Sequence, residues 1–235
     1  MTRKNFVGGM LAFGLISAAT ISPLAAQVPG VPVPSLGISI GVKASTLGLG
    51  VEVGKKILPR INARVGINYA KATADLAFSS LDYSIDLKLT SVPVLLDLYL
   101  LGPIRASAGL VYNKNQITLS LDPTTAVTVG SQTFQASDIG TISGTVGFAK
   151  KVAPYIGLGI GGRGKVGFIL ELGAMFPGDI ALTYTGTTTP SAPAAVVTAF
   201  QTQITAEKTQ LETDINSKSY VKIWPVIGIG LQITI

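Results

Sequence analysis

The feature that most limits what this chain can become is a strict alternation of large apolar residues with glycine and polar residues. In the final segment Ile227, Ile229, Leu231, Ile233 and Ile235 hold one parity, and Gly228, Gly230, Gln232 and Thr234 the other. Leu47, Leu49, Val51 and Val53 alternate with Gly48, Gly50, Glu52 and Gly54. Ile61, Ala63, Val65, Ile67 and Tyr69 alternate with Asn62, Arg64, Gly66 and Asn68. Ile156, Leu158 and Ile160 alternate with Gly157, Gly159 and Gly161, and Val166, Phe168, Leu170, Leu172 and Phe176 stand opposite Gly167, Glu171 and Gly173. Successive side chains of a strand point to opposite faces, so this period of two means strands with two unlike faces.

Which face turns inward separates two kinds of barrel. A soluble barrel hides its apolar face and shows Lys and Glu to water, and these segments carry few of either. A membrane barrel turns the apolar face to lipid and the small or polar face to the lumen. Composition favours the second: charged residues make up 13% of the chain and mean hydropathy is +0.50, whereas soluble domains are about 25% charged. A spanning helix needs roughly 18 consecutive apolar residues. The best stretch beyond the N-terminal region, 155–176, is interrupted by Arg163, Lys165 and Glu171. A closed barrel is the other fold that satisfies every backbone group in hydrocarbon. The expectation is therefore an all-β fold, a transmembrane antiparallel β-barrel of about eight to ten strands, with an even count returning both ends to one side. Alternation alone does not say which face is inside, so a soluble periplasmic ligand-binding β-barrel is the alternative.

Residues 1–26 read as a secretory signal peptide: Arg3 and Lys4, then an uncharged apolar run from Phe6 to Ala19, then the small residues Ala25-Ala26. Residues 27–35 form a proline-rich lead-in that cannot sustain a ladder, and 36–235 is the barrel. Within it, 188–218 differs. Val197, Phe200, Ile204, Leu211 and Ile215 recur at helical spacing, and Lys208 and Glu212 are an i,i+4 pair. This predicts a short helix in the last long loop. Elsewhere the apolar parity slips. Ile85, Leu87 and Leu89 give way to Val94, Leu96, Leu98 and Leu100, with Pro93 between, which reads as a bulge. Longer polar stretches lie near 72–82 and 122–140.

The polar parity carries the lumen-facing charged candidates: Glu52, Arg64, Asp86, Lys88, Asp97, Arg105 and Glu171. A hairpin symmetric about Leu58 sets Glu52 opposite Arg64, and the Gly102-Pro103 turn brings Asp97 towards Arg105. In an eight-stranded barrel side chains roughly fill the interior. Structural filling is the expected role of these charges, and lining a narrow pore the alternative. The chain contains no histidine and no cysteine, which removes the usual general base and the usual soft metal ligands. No enzymatic activity, cofactor or metal site is expected. The +6 net charge is scattered without aromatic partners, which argues against nucleic acid. The glycine run Gly159–Gly164 faintly suggests a phosphate loop but only continues the strand alternation.

Several stretches resemble a family of Gram-negative outer-membrane β-barrel proteins: Thr46-Leu-Gly-Leu-Gly-Val-Glu-Val53, Leu95-Leu-Asp-Leu-Tyr99 followed by Arg105-Ala-Ser-Ala-Gly-Leu-Val-Tyr112, Ala153-Pro-Tyr-Ile-Gly-Leu-Gly159 and Pro225-Val-Ile-Gly-Ile-Gly-Leu231. The resemblance spans most of the region after the signal. It implies export to the bacterial outer membrane, with outer-membrane lipid and the barrel assembly machinery as partners. It is specific for a barrel and nearly silent on activity; the residues themselves lead to the expectation of a structural or surface role, or porin-like narrow-pore transport, with a surface ligand or small solute as partner.

Overall fold

The computed structural model describes residues 37–78, 81–161 and 165–235. The signal peptide and the proline-rich lead-in lie outside these residues, as does part of the Gly159–Gly164 run. Among the described residues thirteen strands form: β1 (Ile38–Ser45), β2 (Gly48–Leu58), β3 (Ile61–Phe78), β4 (Leu81–Leu101), β5 (Ile104–Asn113), β6 (Gln116–Asp122), β7 (Val127–Val129), β8 (Gln132–Phe134), β9 (Ile139–Phe148), β10 (Val152–Gly161), β11 (Val166–Met175), β12 (Ile180–Thr188) and β13 (Trp224–Thr234). A helix, α1 (Ala194–Asn216), and a 3-10 turn (Ser219–Lys222) precede β13.

Eight of these strands close a ring. Antiparallel pairing runs β1–β2–β3–β4–β5–β10–β11–β13 and returns to β1, where Ser39 pairs with Thr234 and Ser45 with Gly228. Closure leaves the ring without a free edge, the condition for a sheet in hydrocarbon. Strands β2, β5, β10, β11 and β13 are 10 or 11 residues long, close to the 9–11 residues a tilted strand needs to cross a bilayer.

The ring is apolar outside and polar within. Ile40, Val42, Leu49, Val51, Val53, Val65, Ile67, Val94, Leu96, Leu98, Leu110, Ile156, Leu158, Phe168, Leu170, Leu172, Ile227, Ile229, Leu231 and Ile233 are all exposed. Residues of the opposite parity, among them Lys43, Glu52, Arg64, Asp97, Arg105 and Glu171, are buried. A water-soluble barrel shows the reverse arrangement.

One end of the ring has short connections, Pro59-Arg60 and Gly102-Pro103, together with the start of β1 and the end of β13. At the other end the sheet continues. The outer halves of β3 and β4 run past the ring and are joined by β6, β9 and β12, so that one eleven-stranded sheet contains both the barrel and an extension. The β7–β8 hairpin and α1 pack on this extension through Val129, Phe134, Ile139, Ile142, Phe200 and Ile204. Phe134 and Phe200 meet edge to face at 5.1 Å.

The parity slip around Pro93 has a different cause from the expected bulge. The β3–β4 register is unchanged on both sides of it, from Val65↔Val94 to Asn68↔Ser91 and on to Phe78↔Leu81. What changes is the surroundings. Below Tyr69 and Thr90 the outward residues are Val65, Ile67, Val94 and Leu96. Above them the same side of the sheet carries Lys71, Thr73, Asp75, Ser84, Asp86 and Lys88. The apolar residues Ile85, Leu87 and Leu89 have moved to the side continuous with the lumen. The strand is regular, and its outward side chains change from apolar to polar.

Helix α1 begins behind Pro193, which cannot donate from its own nitrogen and is tolerated at a helix start. It then guards an edge strand. Asn216 accepts from the Ile180 amide at 2.7 Å and donates to its carbonyl at 2.9 Å. Glu212, which spacing alone pairs with Lys208, accepts from the Leu182 amide at 3.3 Å, and Gln201 donates to the Gly186 carbonyl at 2.9 Å. These side chains take the backbone groups of β12 that another strand would otherwise pair with.

Candidate functional site

The barrel lumen gathers most of the unusual chemistry of the chain. Arg64 on β3 sits at its centre. Its Nε and Nη2 donate to the two oxygens of Asp97 on β4 at 3.0 and 3.1 Å. Its Nη1 donates to Glu52 Oε2 at 2.8 Å and Glu171 Oε2 at 3.1 Å, and Nη2 reaches Glu171 Oε1 at 3.2 Å. Lys43 on β1 lies 3.1 Å from Glu52 and 3.5 Å from Glu171. Arg105 on β5 stands 3.8 Å from Asp97 and 4.0 Å from Glu171. Ser107 donates to Asp97 at 2.5 Å, and the Tyr155 hydroxyl donates to Glu171 at 2.6 Å. Three cations (Lys43, Arg64, Arg105) therefore face three carboxylates (Glu52, Asp97, Glu171), and the cluster is neutral.

The strands bring these groups together by making room for them. Long side chains on some strands lie over glycines on their neighbours. A Cβ at Gly159 would fall 2.9 Å from Arg105 Nε and 3.1 Å from the Leu170 carbonyl oxygen. A Cβ at Gly173 would collide with the Tyr155 hydroxyl. Glycine on the inward parity thus leaves the cross-section that arginine and tyrosine fill.

Five of the sequence-derived candidates, Glu52, Arg64, Asp97, Arg105 and Glu171, lie in this cluster. The pairings differ in detail from the expected ones. A register shift between Lys56 and Leu58 sets Glu52 opposite Gly66 and Arg64 opposite Gly54, so the Glu52–Arg64 ion pair is diagonal. Asp97 is gripped chiefly by Arg64, with Arg105 further off. Asp86 and Lys88 are corrections. They lie on the outer half of β4, opposite Thr118 and Gln116 of β6 and beyond the ring. Asp86 accepts from the Thr73 hydroxyl at 2.6 Å, and Lys88 is exposed. The polar parity faces the lumen only within the closed ring, and these two residues lie past it.

Two parts of the site escaped the sequence reading. Lys43 shares its parity with Ser39 and Gly41, opposite Ile40 and Val42, and that parity was the available signal. The second is an apolar cluster at the long-loop end of the lumen: Leu47, Leu95, Val111, Ala153, Tyr155, Met175 and Val226, with Trp224 packed against it. Alternation groups Leu47 with the outward apolar residues, yet it is only 2% exposed. It belongs to the β1–β2 turn rather than to either strand, so strand parity does not govern it.

The neutral ion network and the apolar cluster both lie buried inside the ring. The cluster offers no thiol or imidazole to act as nucleophile or base, and among the described residues no grouping of three or more His, Cys, Asp or Glu side chains is arranged to hold a metal ion.

No family model matches the chain, and no curated protein matches it. Among solved structures it is similar to CarO2 of Acinetobacter baumannii, with a TM-score of 0.56 and 17% identity over 86% of this chain and 100% of that one. CarO of the same organism superposes with a TM-score of 0.54 and 20% identity, covering 86% of this chain and 98% of that one. At these identities the likeness is one of fold.

Proposed function

We propose that this chain is an outer-membrane β-barrel protein with a closed lumen, anchored by the eight-stranded ring and acting at the cell surface through its extension. One observation carries this reading: the ring buries six charged side chains in its interior while its exposed outer surface is a belt of Ile, Val, Leu and Phe. In water that belt would be far larger than the apolar patches soluble monomers tolerate, which argues against the soluble ligand-binding alternative. Membrane barrels place short turns on the periplasmic side and long loops outside. By that rule the extension and α1 face the exterior. The overall likeness to CarO2 and CarO supports the barrel fold on which this rests.

The lumen argues for filling over transport. A solute would have to part Arg64 from three carboxylates and also displace the apolar cluster. Two measurements test the reading. The chain lacks cysteine, so single cysteines at Leu170 and Ile229 report lipid exposure directly; labelling by a bilayer-dissolved maleimide is expected, and protection at both sites would refute the membrane assignment. In planar bilayers the inserted protein should pass no stepwise current, and discrete conductance steps would refute the closed lumen.

A further inference from the structure

Three lysines gather at the outer end of the apolar belt, where the ring gives way to the extension. Lys71 on β3 pairs directly with Lys88 on β4, two residues above the Tyr69↔Thr90 pair. Both are exposed, on the face that carries Val65, Ile67 and Tyr69 lower down. Lys114, also exposed, donates its amide to the Thr90 carbonyl at 2.8 Å, and its ammonium lies 5.7 Å from the centre of the outward Tyr112 ring. The three lysines thus flank Thr90. Like charges directly opposite on a ladder destabilise it. No carboxylate among the described residues lies within ion-pair distance of any of the three. Asp86, the nearest carboxylate along the ladder, accepts from the Thr73 hydroxyl.

Beside these lysines an apolar groove of about 610 Å³ runs over the belt, with Ala44, Leu49, Val51, Tyr69, Ile229 and Leu231 in its lining. Ala44 makes the groove. Its partners on the neighbouring strands are Leu49 and Ile229, and the short methyl leaves a notch between them. Tyr69, paired with Leu49, bounds the groove on the side of the lysines. Two strand spacings and two residues separate Ala44 from Lys71, about 12 Å between Cα atoms.

We infer that groove and lysines together hold one lipid of the surrounding leaflet, its acyl chain along the groove and a monoester phosphate among Lys71, Lys88 and Lys114. Several unpaired cations call for a headgroup with more than one negative charge. A monoester phosphate carries about −1.5 to −2 at neutral pH, whereas the phosphodiester of phosphatidylcholine is balanced by its own choline. Basic residues just beyond the hydrocarbon attract anionic headgroups, and aromatic rings mark that level, as Tyr69 and Tyr112 do here. A free phosphate would meet the lysines but leave the groove empty.

The inference rests on the outer-membrane reading, and the test keeps the two apart. The full chain is reconstituted into vesicles of phosphatidylcholine and phosphatidic acid in equal parts. A chain that fails to float with the vesicles overturns the membrane reading and this inference with it. Chain that floats is released in mild detergent, and the lipid it retains is identified by native mass spectrometry. The wild type should keep phosphatidic acid and shed phosphatidylcholine. Lys71→Ala and Lys88→Ala should each weaken retention about fivefold, and Lys88→Arg should preserve it. Ala44→Phe fills the groove, spares all three lysines and should release the lipid as well. For a chain that floats, equal retention of the two lipids, indifference to the lysine changes, retention by Ala44→Phe, or displacement by inorganic phosphate at equal concentration would each overturn this inference alone. So would a dimer in place of the lipid that Ala44→Phe dissolves, because the groove would then belong to a second copy of the chain.

Discussion

Replacing Arg64 by methionine isolates what the lumen network contributes. The side chain makes five hydrogen bonds to three carboxylates, and all four groups are nearly solvent-free. After the change, Glu52, Asp97 and Glu171 face only Lys43 and Arg105. Lys43 still reaches Glu52 and Glu171, but Asp97 keeps only the Ser107 hydroxyl and a guanidinium 3.8 Å away. Three buried carboxylates then face two cations, and the one uncompensated negative charge costs about 3–5 kcal/mol. Adding up five charge-assisted bonds would give far more, but such terms are not additive, and the remaining groups and entering water relax around the gap. Arg64→Lys keeps the cluster neutral but cannot grip Asp97 and Glu171 together, so it should cost less, about 1–3 kcal/mol. Adding Asp97→Asn to Arg64→Met removes the surplus charge and should recover about 1–3 kcal/mol through the coupling of the pair. The assay is urea unfolding in detergent, followed by the fluorescence of Trp224, the single tryptophan, which packs against the apolar cluster. A loss below about 1 kcal/mol for Arg64→Met would refute the reasoning, because it would mean that the network is as well screened as a surface one. Equal losses for Lys and Met would show that shape rather than charge sets the cost.

Gly159→Val forces a side chain against Arg105 and the Leu170 carbonyl and should cost about 1–3 kcal/mol, seen as a lower temperature for the heat-induced mobility change on a denaturing gel. Phe200→Ala empties the fully buried contact between α1, Phe134 and the β12 glycine Gly186. It should loosen the helix by about 3–5 kcal/mol, so that protease cuts between β12 and α1 while the barrel stays resistant to SDS. Burial, and then the nearby Glu207 carboxylate, raise the pKa of Tyr184 in the extension. Its contribution to stability is therefore complete below the ordinary tyrosine value of about 10 and declines as alkaline pH rises through the elevated one. Tyr184→Phe should flatten that decline in a pH series of proteolysis rates, and an unchanged series would refute the assignment.

How much of this was legible beforehand follows from where each signal resides. Alternation is a property of neighbouring residues, so the strands, the apolar outer parity and the charged inner parity could be read from Ile227–Ile235 or Ile61–Tyr69 alone. The helix in the last long loop could be read the same way, from Phe200 and Ile204. The chain by itself thus determined an antiparallel barrel with two unlike faces. It did not determine where the barrel stops. Asp86 and Lys88 follow the local pattern as faithfully as Asp97, yet they lie past the ring, where the polar face turns outward. Only the pairing of β4 with β5 on one stretch and β6 on another decides that. Nor could spacing place Leu47, which a turn folds inward, or show that Arg64 gathers carboxylates from β2, β4 and β11. Those contacts join residues up to 107 positions apart. Parity says which side of a strand a residue takes, and the closure of the sheet decides what it meets there.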